Sequence, residues 1–180
     1  MKIRIRNANS LQRKRIQFYC DHLIPDCVLT KRLKRFLEEE GVILYPKFGP
    51  TKGYFARQGI HIFRSEELGW KNHRTSGKRG FFRADQVFIH ELMHAVWHLG
   101  RLGDWFKQEV YGLHAACPDR YLNYSDARNH APEWFCDQFP RAMLFRKTCY
   151  PKLRRFLKKA YFHGRLPNIK LEKGEIPRED

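Results

Sequence analysis

The spacing of apolar and polar positions changes period several times along the chain, and each change marks an element. Ile3 and Ile5 alternate with Lys2, Arg4 and Arg6, which predicts a short edge strand or an ordered arm. Residues 11–24 switch to helical spacing, with Leu11, Arg15, Phe18, Tyr19, His22 and Leu23 on one face, and Pro25-Asp26 ends the run. Thr30 is placed to cap a second helix carrying Leu33, Phe36 and Leu37, which Gly41 stops. Val42-Ile43-Leu44-Tyr45 predicts a strand halted by Pro46. Tyr54-Phe55-Ala56-Arg57 and Ile60-His61-Ile62-Phe63 flank Gln58-Gly59, the pattern of a tight hairpin.

Further on, residues 71–80 are polar, basic and glycine-bearing, so a loop is predicted there, followed by a strong helix over 84–99 that Gly100 closes. Residues 102–131 show little clear period and are expected to be irregular, with room for one short helix. Pro132 suits the first turn of a helix reaching about 147, kinked at Pro140. Beyond it, Leu153, Phe156, Leu157, Ala160 and Tyr161 form an apolar stripe, with Arg154, Arg155, Lys158 and Lys159 on the other side. The whole reads as one domain over 1–163 and a polar tail over 164–180.

Composition adds two constraints. With 35 Lys and Arg against 19 Asp and Glu, the net charge of +16 attracts polyanions: nucleic acid, an acidic membrane surface or an acidic protein partner. No base-reading module accompanies the charge, so sequence-specific recognition is not expected. The 5 cysteines form no C-x-x-C pair and are irregularly spaced, which argues against a cysteine zinc ribbon or a disulfide scaffold and for reduced thiols in the cytoplasm. No apolar run is long enough for a secretory signal or a membrane span.

Chemistry concentrates in His90-Glu91-Leu92-Met93-His94. On a helix the two histidines lie one turn apart on one face, where both imidazoles can hold a single Zn²⁺, and Glu91 projects beside the metal's open position as a general base. Phe88, Ile89, Leu92, Ala95, Val96 and Leu99 make this an interior helix. A third ligand is needed, and the downstream candidates are His98, His114, Asp126, His130, Glu133 and Asp137. Glu133 is the best placed because it opens the next helix, where a carboxylate is stabilised. His98 sits two turns past His90 and fits an outer role, and Asp137 could orient a ligand histidine. A donor for a tetrahedral oxyanion could come from Tyr121, Tyr124, His114 or His130.

The run from His90 to His98 resembles the active-site helix of ImmA/IrrE-type metallopeptidases, which are common in phages and mobile elements. That family continues with Glu-x-x-Ala-Asn-x-Phe-Ala-x-x-Leu-Leu. This chain has Glu133-Trp134-Phe135-Cys136-Asp137-Gln138-Phe139-Pro140-Arg141-Ala142-Met143-Leu144, in which Phe139 and Leu144 agree, Cys136 replaces Ala and Asp137 replaces Asn. The resemblance implies an α+β, zincin-like fold, with a small antiparallel sheet packed on the His90–His94 helix and flanking helices. It implies zinc held by His90, His94 and Glu133, with Glu91 as general base, hydrolysing a peptide bond in a protein substrate. The alternative it leaves open is a non-catalytic zinc protein of a phage particle or larger assembly, virion-associated, whose basic surface meets nucleic acid or acidic subunits.

Overall fold

A computed structural model describes residues 1–47, 49, 51–65, 83–122, 125–144, 148–167 and 169. Among these residues four strands form one sheet: β1 (Ile5–Arg6), β2 (Val42–Tyr45), β3 (Gly53–Ala56) and β4 (Gly59–Phe63), in the order β1-β2-β4-β3. Around them lie α1 (Ser10–Leu23), α2 (Lys31–Glu39), α3 (Arg83–Leu99), α4 (Asp104–Ala115), α5 (Ser125–Asn129), α6 (Ala131–Leu144) and α7 (Pro151–Phe156). The fold is therefore α+β.

The sheet is mixed, not antiparallel as expected. Only the β3–β4 hairpin is antiparallel, while β1 pairs β2 and β2 pairs β4 in parallel. The reason is connection length. Two helices separate β1 from β2, and a crossover of that size returns the chain to the end where it started. The strand β4 then folds back between β2 and β3, which sets it parallel to β2. The hairpin also turns one residue earlier than predicted. Ala56 pairs with Gly59, so Arg57-Gln58 is the loop. Gly59 follows at φ +134, with its Cβ position 3.1 Å from the Gly41 carbonyl oxygen, which is why glycine stands after the turn rather than within it.

Strand alternation places Ile5, Val42, Leu44, Ile60 and Ile62 in the core. The helix α3 packs on β3 and β4 and adds Phe88, Ile89, Leu92, Met93, Ala95 and Val96 to the same core, all fully buried. On its other flank α3 meets α6, which buries Trp134, Phe135, Cys136, Phe139, Ala142 and Met143. Each large side chain so removed from water contributes about 1.5–3 kcal/mol. The helix α6 runs through Pro140, whose missing N–H leaves out the bond to the Cys136 carbonyl.

Thr30 caps α2 as predicted, accepting from Leu33 N at 2.9 Å. Its hydroxyl also donates to the Leu99 carbonyl at 2.5 Å, tying α2 to the end of α3. The helix α4 is a correction: residues 102–131 hold a regular 12-residue helix before a 3-10 turn (Asp119–Tyr121) and α5. Phe106 and Val110 do face the core at helical spacing. Trp105 (65% exposed) and Tyr111 (48%) lie outside it and blur the period. The C-terminal stripe is observed with Leu153, Leu157 and Tyr161 buried, but α7 passes into a π-helical turn (Leu157–Tyr161). Arg155, Lys158 and Lys159 are exposed and Arg154 is half-buried. All five cysteines are free thiols.

A charged cluster lies inside the core. Arg15, on α1, is fully buried and directs Nε at Asp85 Oδ1 across 2.5 Å, and the Tyr19 hydroxyl donates to the same oxygen at 2.7 Å. Asp85 belongs to the first turn of α3, so this cluster joins α1 to the start of that helix.

Candidate metal centre

The helix α3 is buried on most sides, and its one partly open edge carries His90 and His94. The helix α6 begins at Ala131, with Pro132 supplying helical φ in the first turn and Glu133 next to it. Since α6 packs directly on α3, its N-terminal end delivers the Glu133 carboxylate to the two imidazoles.

The geometry is tight. His90 Nε2 lies 3.1 Å from Glu133 Oε1, and His94 Nε2 lies 3.0 Å from Glu133 Oε2. The two Nε2 atoms are 3.1 Å apart. Among the described residues these three side chains form the one cluster able to hold a metal ion. A tetrahedral ion bound at about 2.0–2.1 Å sets its ligand atoms about 3.3–3.4 Å apart. The two imidazole nitrogens, and each nitrogen with its nearer carboxylate oxygen, lie within a few tenths of an ångström of that spacing, so small rotamer adjustments would bring the three side chains onto one divalent ion.

The electrostatics follow from the same contacts. Hydrogen bonds from His90 and His94 hold the Glu133 carboxyl far below the usual carboxylate range, against the opposing effect of burial. For His90, burial acts to lower the imidazole pKa. The hydrogen bond to Glu133 and the nearby Glu91, Glu133 and Asp137 charges outweigh it, so the net shift is upward. Burial raises Glu91, and the neighbouring His90 and His94 only partly offset that.

Glu91 is 8% exposed, and the neighbouring Phe55 backbone N–H favours its charged form. The hairpin register explains why that N–H is available. Phe63 N bonds Lys52 O, so in antiparallel alternation Tyr54 and Ala56 also face β4, and the amides of Gly53 and Phe55 face the open edge. Residue type does not reveal such a neighbour, because a backbone N–H leaves no trace in it. Gly53 is the nearest signal: a Cβ there would stand 2.7 Å from Val87 Cγ1, 2.9 Å from the His61 carbonyl oxygen and 3.2 Å from Glu91 Cγ. Gly53→Ala is accordingly expected to destabilise by about 1–3 kcal/mol, read as a lower urea midpoint. An unchanged midpoint would show that β3 does not press on α3.

The other candidates sit elsewhere. Asp137 is buried, with its carboxylate held by Arg141 Nε at 3.1 Å and by Gln138 Nε2 at 3.3 Å, and it acts on His90 through its charge. His98 is exposed and stacks on Phe55, with centroids 6.0 Å apart. His114 Nε2 lies 2.8 Å from the Ala127 carbonyl, a structural contact. His130 is exposed just before α6, and its carbonyl accepts from Trp134 N. Tyr121 packs on Tyr150, its carbonyl bound to Gln138. Tyr124 and the Asp126 side chain lie outside the described residues.

Among the described residues no helix is long and apolar enough to cross a membrane. Compared with protein-family models, with curated proteins and with solved structures, the chain matches none of them.

Proposed function

We propose that this protein is a zinc-dependent metallopeptidase with a zincin-like active site, in which His90, His94 and Glu133 hold the ion and Glu91 is the general base. The observation that carries the reading is the meeting of two imidazoles and one carboxylate at 3.0–3.1 Å, from two helices, with a second carboxylate buried beside them. Two nitrogen donors and one oxygen donor favour zinc among the common divalent metals, and three protein ligands leave one position open. When bound, zinc supplies a Lewis acid that polarises a carbonyl group and makes water more acidic.

The chain's own groups supply the rest. Glu91 takes a proton from the attacking water and returns it to the departing amine nitrogen. The Phe55 N–H beside it favours the charged, proton-accepting form of that carboxyl group. The substrate is a peptide segment of a protein.

The test is Glu91→Gln, which keeps the size of the side chain and removes the base. Both proteins are loaded with zinc and incubated with a peptide library, and new termini are counted by mass spectrometry. A general base contributes about 100- to 10,000-fold, so turnover is expected to fall by at least about 100-fold while zinc content stays at the wild-type level. Cleavage at the wild-type rate by Glu91→Gln would refute the mechanism. Zinc in both proteins with cleavage by neither would favour a non-catalytic metal that holds α3 to α6.

A further inference from the structure

The sheet has a second face, turned away from the core. Since Ile5, Val42, Leu44, Ile60 and Ile62 point into the core, alternation turns Arg6, Ile43, Tyr45, Tyr54, His61 and Phe63 to the other face, where Tyr54 is exposed, Arg6, Tyr45 and Phe63 are half-buried, and Ile43 and His61 are covered by their neighbours. Register arranges them in rows. Arg6 stands beside Ile43, Ile43 beside His61 and His61 beside Tyr54, while Tyr45 stands beside Phe63.

The rings in these rows form a ladder. Tyr54 stacks on His61 at 4.3 Å and 12°, and His61 on Tyr45 at 5.8 Å and 10°. Tyr45 stacks in turn on Phe63 at 4.7 Å and 15°. The Tyr45 hydroxyl and His61 Nδ1 are 3.0 Å apart, which locks the middle of the ladder. Its outer end is open: β3 is the edge of the sheet, and Tyr54 is 39% exposed.

The charged side chains on the strands themselves are of one sign. Residues 1–20 and 41–65, which contain all four strands, include no Asp or Glu. Lys47, Lys52 and Arg57 are exposed along the same strands and turns. Arg6 Nη2 is held by the carbonyls of Glu40 at 3.0 Å and Gln58 at 3.1 Å, which fixes a guanidinium beside the ladder.

We propose that this face binds single-stranded nucleic acid, with a base stacking on Tyr54 and the phosphate backbone following Lys47, Lys52 and Arg57. An aromatic ladder ending on an open ring offers a base the same contact that each ring already makes with the next. Only a single strand exposes base faces, so a duplex gains the phosphate contacts and not the stacking. An acidic protein partner would use the lysines and arginines but has no need of a flat open ring. The surface lies across the sheet from the metal centre and does not depend on what that centre does.

The experiment is fluorescence anisotropy with a labelled oligothymidylate of about 20 nucleotides and a duplex of equal length, on the full chain. Tyr54→Ala and Tyr54→Leu are both expected to weaken single-strand binding by about 5- to 150-fold, and Tyr54→Phe to keep it. The wild type should prefer the single strand. Replacing Lys47 and Arg57 by Ser should flatten the dependence of log affinity on log salt by about 0.7 per lost phosphate contact. Tyr54 is exposed at an edge, and the leucine variant keeps an apolar side chain there should the alanine one fail to fold. Absence of binding at low salt, equal affinity for the duplex, or Tyr54→Leu binding as tightly as the wild type would each overturn the proposal.

Discussion

Protein purified without chelator is expected to carry about one zinc per chain, and both His94→Ala and Glu133→Ala to lose nearly all of it. The two variants probe different helices. His94→Ala removes one of the pair on α3, leaving one imidazole and one carboxylate. Glu133→Ala leaves both histidines in place but takes away the group that α6 brings, so it tests the tertiary arrangement itself. Elemental mass spectrometry reads the outcome directly. Stability gives an independent reading, because an ion that binds the native state alone stabilises it by about 4 kcal/mol at a free concentration 1,000 times its dissociation constant. Chelation should therefore lower the urea midpoint of the wild type and leave that of Glu133→Ala unchanged. Wild-type zinc content in Glu133→Ala would move the third ligand to another group, such as His98 or His130.

The second large effect lies in the core. Asp85→Ala is expected to cost about 3–5 kcal/mol, since it removes the anion that the fully buried Arg15 faces at 2.5 Å. That is a large share of the 5–15 kcal/mol that holds a typical domain folded. The double variant Arg15→Met, Asp85→Leu is expected to regain most of the loss, because two apolar side chains of similar volume need no charge partner. Urea unfolding of the two proteins side by side separates the charge from the packing. If Asp85→Ala unfolds at the wild-type midpoint, the ion pair is not buried as described. The consequence extends to the metal centre. Asp85 anchors the first turn of α3, and the helix that begins there carries His90, Glu91 and His94.

Much of this was legible in local patterns. The helix over 84–99 is found at Arg83–Leu99, and Thr30 caps α2, because an amphipathic period and a capping residue act within a few positions of themselves. The hairpin was readable from two alternating runs, though its turn moved by one residue once the pairing of Ala56 with Gly59 was set. His90 and His94 were bound to share a helix face by their spacing alone. In contrast, α4 was obscured because Trp105 and Tyr111 are exposed aromatics, and residue type carries no label for exposure.

What the chain by itself determined was thus the set of elements near the motif and the candidate donors. The tertiary structure decided which donors meet. Glu133 reaches the histidines only because α6 packs along α3, whereas His98, on the same helix, turns to Phe55 instead. The mixed sheet, the burial of Arg15 against Asp85 and the close approach of Gly53 to Val87 and Glu91 belong to the same class. Each joins groups far apart in the chain through the direction of a backbone or the docking of a helix. A local pattern records the period of one segment and the chemistry of its side chains. It does not record which other segment comes to lie against it, because that is settled by the joint packing of all of them.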